Sequence, residues 1–400
     1  MMLSRRLAFL FLIGSAMLHA QNWVGTWAAA PVGGPAKVNS SVTLGELQMT
    51  LRETVHLSQG GNMMRLTLTN EFGKSPLTFS AAHVAFLSTG DRILPATDHV
   101  LTFGGQSAVT IPAGQFVSSD ALKLNVPIFS DLVISLVVPE QPLSTVTLHP
   151  LASTTTYFAN GDQAATETLT TPTKSSSWFM LKDVQVNGRG KSGAIVTLGD
   201  SITDGEGSTA DTNRRWPDVL AARLTSISRT AALSVLNEGI SGNRVLLDGA
   251  GPRALERLDR DVLSAPGVKF LILTEGINDI DRTLQPQWPT DPVTIEAILD
   301  GMKEVVRRAR LQKIRVIGAT LTPFAGGEFF SSEGEAMRQR VNAFIRAPGN
   351  FDGVIDFDKA LQDPSNPERI LPRYDHGDHF HPSDMGYAAM GAAIDLKLFR

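Results

Sequence analysis

Between Trp23 and Asn187 the apolar residues come in short runs that alternate with polar ones. That period of two places one face of a strand in a core and leaves the other toward water. Met64, Leu66 and Leu68 interleave with Arg65, Thr67 and Thr69, the series Leu122, Leu124 and Val126 repeats the pattern, and Leu132 to Val138 is a run rich in β-branched residues. Gly60-Gly61-Asn62, Gly104-Gly105 and Pro112 to Gly114 punctuate these runs, and no helical stripe interrupts them. Short strands at regular turns predict a β-sandwich or jelly-roll unit over residues 21–187. The only low-complexity tract is the Thr/Ser-rich stretch from Thr166 to Ser177.

A Gly/Ser/Lys stretch from Asn187 to Gly193 precedes a change of texture, after which apolar strands and helical stripes take turns over residues 188–400. Ala194 to Leu198, Leu233 to Leu236, Phe270 to Leu273, Ile314 to Thr320 and Val354 to Phe357 read as strands. Helical spacing marks Trp216, Val219, Leu220 and Leu224; Leu255, Leu258 and Val262; Ile295, Ile298, Met302, Val305 and Val306; and, behind Pro382-Ser383, Met385, Ala389, Ala392 and Leu396. Such alternation builds an α/β unit, a five-stranded parallel sheet with helices on both faces. Ligands of such sheets bind beyond the carboxyl ends of the strands, so residues just after each strand carry the functional weight.

Composition narrows the chemistry. The chain has 400 residues, with Lys+Arg 36 against Asp+Glu 40 and a formal charge of -4. That balance offers no basic surplus for nucleic acid. With Cys 0 there is no disulfide, thiolate metal site or thiol nucleophile, so covalent chemistry falls to Ser, Thr, Lys or a carboxylate. Arg5-Arg6, the apolar stretch Leu7 to Ile13 and the ending Leu18-His19-Ala20 read as a secretory signal peptide of about 1–20. It resembles a twin-arginine signal, although Phe9 stands one position late for that pattern. No later stretch is long and apolar enough for stable membrane insertion, so the expectation is a secreted or periplasmic protein.

Four segments follow the strands. Gly199-Asp200-Ser201-Ile202-Thr203-Asp204-Gly205 sets a serine at a strand-to-loop corner, which is also ordinary turn chemistry. Asn237-Glu238-Gly239-Ile240-Ser241-Gly242-Asn243-Arg244 holds glycines that let a backbone N–H approach a ligand. Gly276-Ile277-Asn278-Asp279 offers an amide that can donate into the same mouth or cap a turn. Asp375-His376-Gly377-Asp378-His379-Phe380-His381 holds three of the eight histidines. A metal cluster is one reading, but the two-histidine helical spacing of a zinc site is absent. The other takes Asp378 and His381 as a pair in which the carboxylate accepts one ring N–H and frees the second nitrogen as a base.

Together these segments resemble the SGNH hydrolase superfamily, the GDSL-type esterases and lipases, over about Ala194 to Arg400. Gly-Asp-Ser-Ile-Thr-Asp-Gly, Gly-Ile-Ser-Gly-Asn-Arg and Trp23-Val24-Gly25-Thr26-Trp27 are similar to a secreted bacterial branch with an extra N-terminal unit. The resemblance implies a flavodoxin-like sheet, Ser201 as nucleophile, Asp378 and His381 as its partners, and the Ser201 N–H, the Gly242 N–H and the Asn278 amide as oxyanion donors. The spacing seen in the family it resembles, counted from Asn237, favours Gly242 over Gly239. It implies an acyl-serine route with no metal and no organic cofactor.

The ester itself is less legible. The chain lacks an apolar lid segment, and polar Gly-rich loops such as Ala325 to Glu335 flank the rim, which favours small acyl groups on carbohydrate or another polar alcohol. The alternatives are a lipase or arylesterase for longer or aromatic acyl chains, and an inactive glycan-binding protein. Asn243, Arg244 and Asp248 are candidate substrate contacts, with ion pairing as the structural alternative, and Trp288 is a candidate sugar platform or core residue.

Overall fold

The computed structural model describes residues 22–188, 190, 192–283, 285, 287 and 293–400. The expected signal-peptide residues 1–20 and Trp288 lie outside them. In the N-terminal half, strands β1 (Trp23–Ala28), β2 (Met49–His56), β3 (Met64–Thr69), β4 (Ala81–Thr89), β5 (Asp131–Val138), β6 (Thr145–His149), β7 (Thr156–Asn160) and β8 (Leu181–Asn187) carry most of the structure. One sheet runs β1-β8-β3 and ends on the short strand Phe116–Ser118; another has β7-β2-β5-β4 at its centre. Met64, Leu66 and Leu68 of the first share one core with Leu51, Val55, Leu132, Ile134 and Leu136 of the second. This is the face-to-face packing that period-two alternation requires. Leu122 and Val126 make only isolated bridges, to Met64 and Gly61, so that run lies beside β3 without forming a strand.

The C-terminal half holds β9 (Gly193–Gly199), β10 (Leu233–Gly239), β11 (Val268–Thr274), β12 (Arg315–Ala319) and β13 (Gly353–Ile355), all parallel in the order β10-β9-β11-β12-β13. Helices α1 (Ser201–Asp204), α2 (Trp216–Leu224), α3 (Ala254–Leu258), α4 (Ile277–Thr283), α5 (Ile295–Leu311), α6 (Ser332–Arg346), α7 (Phe357–Leu361) and α8 (Asp384–Ala393) surround it. Ala194, Val196 and Leu198 of β9 face one helical layer, while Ile195 faces the other with Trp216, Leu220 and Tyr387. Burial on both faces explains why these strands read as continuous apolar runs. This is the expected five-stranded parallel α/β sheet with helices on both faces, preceded by a β-rich part.

Two expectations need correction. Phe357 starts α7 rather than ending a strand, because Asp356 caps that helix by accepting the Lys359 N–H. Helix α6 begins at Ser332, capped by Ser331, so only the first part of the Ala325 to Glu335 segment is loop. Its stripe is masked in the sequence because Glu335, Arg338 and Asn342 are buried beside Met337, Val341 and Ile345. Helix α4 likewise buries Asp279 and Asp281.

Strand β10 is the edge of the parallel sheet, and an open edge invites pairing with another chain. The β-rich half covers it. Ser58 Oγ donates to the Val235 carbonyl at 3.0 Å and accepts the Val235 N–H at 3.0 Å. Ser234 Oγ donates to the Gly25 carbonyl at 2.6 Å, and Val24 and Ala28 of β1 enter the core of the C-terminal half.

Candidate active site

Strands β9, β10 and β11 end in one row, with Gly199 opposite both Gly239 and Thr274. The segments that follow them therefore emerge together. Asp200 accepts the Ile202 N–H at 2.9 Å and so caps α1, and this sets Ser201 in the first turn. Asn237 donates to the Thr203 carbonyl at 2.8 Å. A Cβ at Gly239 would lie 2.3 Å from the Asp204 nitrogen, so this glycine serves close packing of β10 on α1. Gly242 has φ +74, a left-handed conformation that glycine adopts without strain.

The last segment closes the site. Ser201 Oγ lies 2.9 Å from His381 Nε2, and His381 Nδ1 lies 2.6 Å from Asp378 Oδ2. The other Asp378 oxygen accepts the His381 N–H at 2.8 Å and the Phe380 N–H at 3.0 Å. Partial burial pushes the Asp378 carboxyl up, but the bonds from His381 and Phe380 outweigh it and hold it below the ordinary range. A carboxylate so held stays charged and fixes the imidazole tautomer. Asn278 Nδ2 donates one hydrogen to the Asn243 carbonyl at 3.0 Å. Asp279, next to it, accepts the Val245 N–H at 2.7 Å and the Leu246 N–H at 3.2 Å, which ties the Gly242 loop to α4.

Ser201, Ser241, Gly242, Asn278, Asp281, Glu328, Phe329, Asp378, Phe380 and His381 line a cleft of about 260 Å³. Five positions singled out in the sequence, 201, 242, 278, 378 and 381, thus meet there. Asn243, Arg244 and Asp248 do not join the lining. The Asn243 side chain turns inward, donating to the Pro252 carbonyl at 2.9 Å and accepting from Arg257 Nε at 2.9 Å. Arg244 is buried and donates to the Asp248 carbonyl, and the Asp248 carboxylate accepts the Arg253 N–H at 2.9 Å. Asn243 and Arg244 are buried, while Asp248 is exposed.

Sequence reasoning passed over the carboxyl groups around the serine. Burial, together with the neighbouring carboxylates of Asp204 and Asp279, pushes Asp200 up to about 7. Burial also lifts Asp279 to about 6. Asp281 is raised well above its ordinary value by burial and by Asp200. Its spacing, three residues after Asn278 on one helix, was the available signal, since such positions share a face. His379 pairs separately with Asp375 at 2.5 Å, and among the described residues no group of three or more His, Asp and Glu is placed to hold a metal ion.

Solved structures to which this chain is similar include an acetylxylan esterase from Geobacillus stearothermophilus, 22% identical with a TM-score of 0.40, covering 52% of this chain and 93% of its own. A GDSL-like lipase from Bacteroides thetaiotaomicron is 18% identical with a TM-score of 0.38, covering 52% of this chain and 87% of its own. No curated protein matches. The family model for GDSL-like lipase/acylhydrolase matches residues 195–394, half of the chain, and this span includes all of the cleft residues. The chain therefore belongs to the GDSL-like lipase/acylhydrolase family, within the SGNH superfamily, and is a carboxylic ester hydrolase.

Proposed function

We propose that this protein is an exported serine esterase that removes small acyl groups from carbohydrate or a similar polar alcohol, with residues 21–187 as accessory unit and 188–400 as catalytic unit. The observation that carries the catalytic part is the unbroken chain of contacts from Ser201 through His381 to Asp378, at 2.9 and 2.6 Å. A serine hydroxyl is a weak nucleophile until a base takes its proton. Ser201 Oγ bonds to the ester carbonyl carbon as its proton passes to His381 Nε2. The oxyanion is stabilised by the N–H groups of Ser201 and Gly242 and by the second hydrogen of Asn278 Nδ2. As the bond to the alcohol oxygen breaks, His381 returns the proton to that oxygen and an acyl-serine remains. Water, deprotonated by His381, then attacks; the acid leaves and Ser201 regains its hydrogen.

The cleft volume, about 260 Å³, falls below the range of about 300–1,000 Å³ typical of drug-sized ligands. That supports a small acyl group. Phe329 and Phe380 offer apolar walls, while Ser241, Asp281 and Glu328 offer polar contacts for an alcohol. The leader-like residues 1–20 support export, and cleavage after Ala20 in protein recovered outside the cytoplasm would test it. For catalysis, the test is Ser201→Ala, expected to fold normally and to lose nearly all hydrolysis of p-nitrophenyl acetate; ordinary turnover would sink the assignment. For the acyl group, acetate, butyrate and octanoate esters are compared beside acetylated xylan and pectin. A preference for octanoate would favour a lipase instead.

A further inference from the structure

Strand β6 of the β-rich half ends at His149, whose ring is buried against the C-terminal half. Its Nδ1 lies 2.8 Å from the Ala30 carbonyl oxygen. Its Nε2 lies 2.9 Å from Asp204 Oδ1 and 3.2 Å from the Leu151 carbonyl oxygen. Every partner is an acceptor. A neutral imidazole carries one N–H and one lone pair, so either neutral tautomer would press a lone pair against an oxygen in a site closed to water. The doubly protonated ring satisfies both contacts. The charged groups facing it are the Asp204 carboxylate and the Arg215 guanidinium, and the Trp178 ring covers it at 5.8 Å. Burial pushes the ring down, but Asp204 and the Ala30 carbonyl outweigh this and Arg215 to hold it above its ordinary value.

Asp204 stands three residues after Ser201 on α1 and is itself buried. Its other oxygen, Oδ2, accepts the Ser241 N–H at 3.0 Å, and Gly242 is the next residue. One carboxylate therefore ties the serine turn to the loop that carries the Gly242 N–H, and a cation from the other half of the chain anchors it. We infer that His149, as an imidazolium, is a positioning residue for ester hydrolysis: through Asp204 it sets the spacing between Ser201 and the Gly242 N–H. The β-rich half thus supplies part of the foundation of the active site. This rests on the roles proposed for Ser201 and Gly242.

The test uses the full mature chain and the variants His149→Gln and Asp204→Asn. Active sites are counted by fluorophosphonate labelling, located by mass spectrometry, and kcat and KM are measured on p-nitrophenyl acetate per labelled site. Displacing a reacting group by a fraction of an ångström to an ångström costs up to about a hundredfold, so each variant is expected to lose about tenfold or more in kcat. KM should hold within about twofold, and the double variant should fall no further than the worse single one. Normal kcat per labelled site, with only a lowered melting temperature, would overturn the inference and leave His149 a structural residue. Parent protein that is not labelled at Ser201 would instead fail the reading of the serine. Should either variant not fold, the ¹⁵N-histidine-labelled parent decides. At pH 7 one slowly exchanging ring must carry protons on both nitrogens, and finding none overturns the inference.

Discussion

Asn278 offers the sharpest separation of catalysis from binding. Its amide nitrogen has two hydrogens; one is committed to the Asn243 carbonyl at 3.0 Å, and the proposed oxyanion contact uses the other. Asn278→Ala removes both. Loss of the oxyanion donor should cost about 3–4 kcal/mol in the transition state, a fall of about 10²–10³ in kcat. Loss of the Asn243 contact is a ground-state effect of about 1 kcal/mol on stability, seen as a small drop in melting temperature. The two readouts should separate cleanly. The oxyanion exists only while the carbonyl carbon is tetrahedral, so KM should stay within about twofold while kcat collapses. Steady-state kinetics on p-nitrophenyl acetate, with thermal melts of the same preparations, measure both. A raised KM with kcat preserved would make Asn278 a substrate-binding residue and refute the oxyanion assignment.

Three further outcomes are expected. Asp378→Asn should lower kcat by about a hundredfold or more, because an amide cannot hold the imidazole with its N–H toward residue 378 and stabilise its charged form; a loss below about threefold would show that Asp378 is dispensable. Asn243→Ala should leave KM alone and destabilise the fold by about 1–3 kcal/mol, since it strips a partner from the buried Arg257 guanidinium; a large KM effect would restore Asn243 as a substrate contact. The fold should also be more stable at pH 5 than at pH 8. Asp200 and Asp279 titrate at about 7 and about 6 in the fold against about 3.9 unfolded, so the folded chain holds extra protons between these values. Their contribution is complete below the unfolded value and is lost as pH rises through 6 to 7, at up to about 1.4 kcal/mol per pH unit for each group. The raised pKa of His149 acts in the same direction. Asp378, held low, loses its own contribution only in stronger acid. A higher melting temperature at pH 8 would contradict these protonation states.

The parallel strands were legible because burial on both faces leaves apolar runs, as in Ala194 to Leu198 and Phe270 to Leu273. The motif residues 201, 242, 278, 378 and 381 were legible because each follows a strand or lies just before helix α8. Helix α6 was not, because the partners of Arg338, namely Glu335 and Asp358, make charged positions part of its buried face. The direction of Asn243 was equally hidden. An asparagine after a strand can face the ligand or the protein, and Arg257, fourteen residues on, decides which.

Local order along the chain, then, determined on its own the two textures, the parallel sheet and the short list of groups able to do acyl transfer, since periodicity and residue type are properties of neighbouring positions. Only the tertiary structure decided which carboxyls are buried, that the β-rich half seals the β10 edge, and that His149 reaches Asp204. Proton affinity and hydrogen-bond satisfaction depend on groups brought together from distant parts of the chain, and no window of sequence contains both partners.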